Sequence, residues 1–213
     1  MKIVFFAFIF FAGCSTLTYS RPETNSRGEN SVSVPLPRDL FWKTFVSSLS
    51  SHFFVINNLD KETGLINVSY SGDPSTFVDC GMITVDALGK SLTFPAAAAA
   101  QNYEIMSGLR LFNISRKMSL EGRSNIIVQD ASPTESRVVI NTRYVLNRQI
   151  NSVASNGQQS NRNDSIGFNY GEIGSFAAAP GGQEVNCASK GTLERRIVEI
   201  AQKIALTTPI NNP

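Results

Sequence analysis

Between Arg137 and Ile150 the side chains alternate so regularly that the segment is compatible with little except a strand that has one covered face. Val138, Ile140, Thr142, Tyr144 and Leu146 fall on one side of an extended chain, and Val139, Asn141, Arg143 and Val145 on the other. Successive residues of a strand point to opposite faces, so the first set is assigned to the core. Ser124 to Gln129 precedes this strand across Asp130-Ala131-Ser132-Pro133-Thr134-Glu135, a polar stretch with turn chemistry, and the two arms predict a hairpin. Leu109 to Leu120 alternates more loosely, and Gly122 is read as the mark of a bulge. An antiparallel sheet is therefore the expected frame.

The end of the chain has the other periodicity. Leu193, Ile197, Ile200, Ala201 and Ile204 form an apolar stripe at helical spacing, behind capping hydroxyls expected in Ser189 to Thr192. A first helix is predicted near Pro37 to Ser51, with Phe41, Trp42 and Phe45 in the core rather than around a ligand, and His52 meeting its last carbonyls. A hairpin follows, with arms at Phe53 to Asn57 and Leu65 to Ser71, and Gly64 supplies the positive φ of its turn. Ser71 to Gly108 is legible only in pieces: a turn at Gly72 to Ser75, a short strand at Phe77 to Cys80, and a short helix or mobile loop at Phe94 to Ala100. Ser152 to Ser165, full of Asn, Gln and Ser, is expected as an exposed loop, and Ile166 to Phe176 as a strand. The order predicts an α+β fold in which a curved antiparallel sheet packs against a long C-terminal helix.

Composition excludes more than it assigns. The chain carries 19 basic and 17 acidic side chains, a balance that implies no nucleic-acid partner. His52 is its one histidine, which leaves little for histidine-based metal or triad chemistry; no cofactor, metal or catalytic residue is nominated. Lys190-Gly191-Thr192 lacks the glycine frame of a phosphate-binding loop. Arg110, Arg116, Lys117 and Arg123 are read as separate charges on a solvated strand face.

Ile3 to Phe11 contains no polar side chain and runs into Phe11-Ala12-Gly13-Cys14 behind Lys2. This segment resembles a bacterial lipobox. The resemblance implies a lipoprotein signal over residues 1–13, removed so that Cys14 becomes the lipidated first residue; the run is too short to span a bilayer as a helix. An ordinary secretory signal cut nearer Ser20 is the alternative. Ser15 after the cysteine resembles the pattern for sorting to the outer membrane. The cysteine count agrees with lipidation: giving Cys14 to lipid leaves Cys80 and Cys187, which an oxidising compartment allows to pair. Residues 14–37 are expected to be a flexible tether, 38–206 a single α+β domain, and 207–213 a polar tail.

The element order, with Cys187-Ala188-Ser189-Lys190-Gly191-Thr192-Leu193-Glu194 opening the last helix, is similar to the helix-grip domains of outer-membrane lipoproteins, of which the C component of the barrel-assembly machinery is an example. That resemblance implies a non-enzymatic lipoprotein, held to the membrane through Cys14, that binds a protein partner in an envelope assembly. The alternative is a carrier of a lipid or small hydrophobic ligand, which calls for an apolar cavity lined by Phe94, Tyr103 and Leu111.

Overall fold

The computed structural model describes residues 15–23, 29–52, 54–178 and 183–208. Cys14 and the expected signal lie outside the described residues, as do Phe53 and most of the polar tail. The described chain mixes helix with antiparallel sheet and closes on a helix. Its elements are β1 Thr16–Ser20, β2 Ser31–Val34, α1 Arg38–Ser51, β3 Val55–Asp60, β4 Leu65–Gly72, α2 Pro74–Phe77, β5 Val78–Asp79 and β6 Met82–Ala87. There follow β7 Lys90–Pro95, β8 Ala100–Ser107, β9 Arg110–Ser132, β10 Glu135–Ala154, β11 Gln159–Asn169, β12 Ile173–Phe176, β13 Val185–Ser189 and α3 Thr192–Thr207.

The β9–β10 hairpin is the spine. Its strands have 23 and 20 residues and pair from Glu135↔Ser132 to Ala154↔Phe112. β11 and β2 share the free edge of β10, while β4 and β8 share the free edge of β9, and β3 extends the sheet beyond β4. Even-numbered residues of β9 from Ile114 to Val128, and of β10 from Ser136 to Arg148, are buried. The core set expected on β10 is the set the fold buries.

Two coverings share that inner face. Toward the β9–β10 turn, α3 lies against β10 and β2, and α1 lies against α3. Phe41, Phe45 and Leu49 of α1 and Leu193, Ile197, Ala201 and Ile204 of α3 are buried there, as the two stripes predict. At about 1.5–3 kcal/mol for each fully buried large apolar side chain, these stripes are a principal stabilising contact. Farther along, β6 of the β1–β6–β7 sheet lies against β8. The third sheet, β12–β13–β5, carries the Cys80–Cys187 disulfide, a link across 107 residues that ties the chain before β6 to the approach to α3.

Several expectations change. The segment expected as a tether contributes β1 and β2, and Val34 and Leu36 are fully buried. The alternation of Val32, Val34 and Leu36 is a short strand signal within polar surroundings. Phe94 to Ala100 is not a helix: Phe94 and Pro95 end β7, a tight turn follows in which Ala98 N donates to the Pro95 carbonyl and Ala96 and Ala97 are buried, and Ala100 opens β8. Ser152 to Ser165 is not an exposed loop. It holds the end of β10, a tight turn containing Asn156-Gly157, and most of β11. Ile166 to Phe176 divides at Tyr170-Gly171 into the end of β11 and β12. The N-cap of α3 is Gly191, with φ of 66° and no side chain to accept a hydrogen bond, while the Thr192 hydroxyl donates to the Thr76 carbonyl.

Gly122 marks a close approach instead of a bulge. It pairs in register with Tyr144, and a Cβ on it would lie 2.7 Å from Cδ1 of Leu193. Gly64 meets a stricter demand: φ is 73°, and a Cβ would come within 2.1 Å of the Val128 carbonyl oxygen.

Candidate functional site

The residues singled out in the sequence are dispersed through the fold. Cys80 and Cys187 are joined and buried. Cys14, the expected lipid site, lies outside the described residues. His52 ends α1, its Nδ1 2.6 Å from the Ser48 carbonyl, a local cap of the kind expected. Among the described residues no group of three or more His, Cys, Asp or Glu side chains could hold a metal ion, and no helix is long and apolar enough to cross a membrane.

Arg116 departs from its expected place. It shares the parity of Ile114, Met118 and Leu120, so its side chain belongs to the inner face and is only 1% exposed. The solvated-face reading fits Arg110, Lys117 and Arg123 but not Arg116. The Arg116 Nη2 lies 3.5 Å from the Met118 sulfur, a weak acceptor, and Nη1 is buried with no hydrogen-bond partner.

Two further arginines complete the cluster. Arg148, nearly as buried, is one diagonal step from Arg116, since Arg116 pairs with Ile150 and Met118 with Arg148. Arg148 forks onto Asp164 of β11, with Nε–Oδ1 at 2.8 Å and Nη2–Oδ2 at 2.6 Å, and its guanidinium lies 4.1 Å from the Phe176 ring centroid. Arg162 donates Nε to the same Asp164 Oδ2 at 3.0 Å and Nη2 to the Ala177 carbonyl. Three guanidinium groups thus face one carboxylate.

Electrostatics follow from that imbalance. Burial, then the neighbouring Arg148 charge, lowers the Arg116 pKa to about 10, with Tyr103 and Asp164 pulling the other way. Arg116 is still protonated at neutral pH. The hydrogen bond from Arg148 holds the Asp164 carboxyl below its usual range against some desolvation. Burial raises the Tyr103 phenol, which sits on the same side of the sheet one diagonal step from Arg116.

The outer face of the large sheet is built differently. Asn57 Nδ2 donates to Asn67 Oδ1 at 3.0 Å, Asn67 Nδ2 donates to Asn125 Oδ1 at 2.6 Å, and Asn125 stands opposite Asn141. One row of asparagines therefore crosses β3, β4, β9 and β10. Beside it, Arg123 and Arg143 are opposite in register, but the Arg143 guanidinium turns over Gly167 of β11, where, after hydrogen bonds from Asn169, its charge helps lower the Glu172 carboxyl pKa. Glu121 lies 3.7 Å from Arg123 and offsets its charge in part. A shallow cleft of about 690 Å³ opens here between Asn57, Ser69, Glu121 and Arg123. The sequence did carry this face, as the odd-numbered set opposite the predicted core.

The chain matches no protein-family model, and no curated protein is similar to it in sequence.

Proposed function

We propose that this protein is a non-enzymatic lipoprotein, anchored through Cys14, that binds an envelope protein partner on the outer face of its large sheet. The observation that carries this reading is that face: a broad, exposed polar surface where asparagine side chains are ordered by one another across four strands. Ordered side-chain amides and the Arg123 and Arg143 guanidinium groups offer a partner fixed donors and acceptors. The proposed partner is a protein surface carrying carboxylates and backbone polar groups.

The finer fold reading belongs to the same proposal. The sheet is taken as curved around α3 in the helix-grip manner, with Leu193 seated over Gly122 and Glu194 bonded to Tyr144 in support. The carrier alternative is less well supported. Phe94 and Tyr103, two of the residues that would line its cavity, have ring centroids 5.4 Å apart and pack on each other.

The test is a pull-down from detergent-solubilised membranes, comparing the full chain with Arg143→Glu. The expected result is one reproducible envelope protein that is captured by the parent and lost with the folded variant. Equal capture by both, or a stoichiometric bound lipid with no reproducible protein, overturns the reading. Anchoring is tested separately by mass spectrometry: a lipid-modified Cys14 is expected, and an unmodified terminus near Ser20 contradicts it.

A further inference from the structure

Ser15 enters the domain with no slack: its Oγ accepts from the Met106 backbone N–H at 2.8 Å, and β1 begins at the next residue. Two hairpins end beside it. β6 and β7 are joined by the two-residue turn Leu88-Gly89 inside the Ala87↔Lys90 pair, and β8 and β9 by Gly108-Leu109 inside Ser107↔Arg110. Both project the same way. Phe94, which pairs with Ile83, packs on Tyr103, whereas Ser15, one step beyond the Thr16↔Asp86 pair, meets Met106. β6 and β8 therefore advance side by side toward their turns. The apex of each hairpin is a leucine facing solvent: Leu88 is 57% and Leu109 97% exposed. Behind them, Leu17 and Leu92 flank Val85 in register and are also exposed.

We propose that the two tips are a membrane-insertion site, at which a phospholipid bilayer takes up Leu88 and Leu109. This rests on the proposed anchoring through Cys14 and adds the orientation in which the domain is held. The occupant follows from the chain that leads into Ser15. Cys14 is the residue before it, and Ile3 to Phe11 contains no polar side chain, so the attachment to a bilayer lies one residue from Ser15. Because β1 stands where a tether was expected, no length of free chain separates that attachment from the tips. The tips also fit the headgroup boundary. A basic residue follows each turn, Lys90 after Gly89 and Arg110 after Leu109, placed to meet phosphates while the leucines enter the acyl region. The nearby carboxylates, Asp86 and Glu104, lie farther back along β6 and β8. Leu88 points to the same use. Its φ of 52° and the 74° of Gly89 form a turn that favours Asn or Gly at the first position, so the leucine stands there against local preference. Asn125 and Asn141 lie far along β9 and β10 from these tips, which leaves the proposed partner surface clear of the bilayer.

The experiment reconstitutes the full chain, purified from membranes, into vesicles of phosphatidylcholine and phosphatidylglycerol whose acyl chains carry bromine, a short-range quencher of tryptophan. Leu109→Trp is compared with Leu206→Trp. Leu206 is similarly exposed but ends α3, which runs from Gly122 toward β2 and away from the tips. The native Trp42 is buried and common to both. Flotation reports the anchor, and quenching reports the tips. Both variants are expected to float, with quenching at position 109 and none at position 206. Adding Leu88→Asn to Leu109→Trp is expected to reduce the quenching while raising the Tm, because Asn suits the left-handed turn position better than Leu. Flotation without quenching at 109, or equal quenching at both positions, overturns the insertion site and leaves the anchor standing. Quenching undiminished by Leu88→Asn overturns the part given to Leu88. Failure of the parent to float overturns the anchoring, and the insertion site with it.

Discussion

The Tyr144 hydroxyl lies 2.9 and 3.0 Å from the two carboxylate oxygens of Glu194, and both residues are fully buried. One belongs to the sheet and the other to the first turn of α3, so this bond fixes the angle and depth at which the helix meets β10. The helix start favours a negative charge, and the phenol supplies the donor it needs away from water. Tyr144 also stacks on Phe168, with centroids 5.6 Å apart, which holds the ring in place.

Tyr144→Phe should therefore lower stability by about 1–3 kcal/mol, because it strands a buried carboxylate while keeping the ring's packing. A urea midpoint measured at neutral pH checks this. Alkali adds a second signature. Burial first, and Glu194 second, raise the folded phenol's pKa above its ordinary value. That contribution is complete below about pH 10 and is lost as the pH rises further, since the unfolded phenol can ionise there and the folded one resists. The parent should lose stability above about pH 10 more steeply than Tyr144→Phe does.

Gly122→Ala should cost about 1–3 kcal/mol through its contact with Leu193. Because the atom met is a side-chain methyl, the cost should shrink when Leu193 is shortened to Val. The double-mutant cycle in denaturant should show favourable coupling. Simple additivity would mean that the helix does not seat over the glycine.

Asp164→Asn should destabilise the fold by about 3 kcal/mol at neutral pH, since it leaves the buried Arg148 without its counter-charge. The Asp164 pKa is lowered in the fold, so its contribution is present above the ordinary carboxylate pKa and lost as the pH falls through the folded value. Stability curves of parent and variant should converge on acidification, below about pH 4.

Replacing both Cys80 and Cys187 by Ser should reduce stability by about 2–4 kcal/mol, the usual effect of releasing so long a loop. Peptide mapping without reductant should recover the two cysteines in one linked fragment. The parent treated with reductant should approach the stability of the double variant.

The elements with a strong single period were readable in advance: the β9–β10 hairpin, α1 and the stripe of α3. Those that were missed are short, as β2 and β6 are, or are polar along most of their length, as β11 is. β11 offers Asn161, Asn163 and Asn169, poor strand formers, and only Asn156-Gly157 marks its turn. The β6–β7 hairpin turns on Leu88 and Gly89, with φ of 52° and 74°, a conformation that Leu seldom adopts and that its sequence does not advertise. Arg116 and Glu194 were misplaced or passed over because charge was allowed to outweigh period. Arg116 has the parity of Ile114 and Met118, and Glu194 lies three residues before Ile197 and seven before Ala201, on the buried side of α3. No period marks the pairing of Arg148 with Asp164, which depends on the register between strands.

Photo-crosslinking in intact cells addresses the partner surface most directly, with a crosslinking residue placed either at Asn141 on the outer sheet face or at Lys203 on the exposed side of α3. One discrete adduct with an envelope protein is expected from position 141, and none of that size from position 203. The same adduct from position 203 alone, or no adduct from position 141 in folded protein, would contradict the proposed surface.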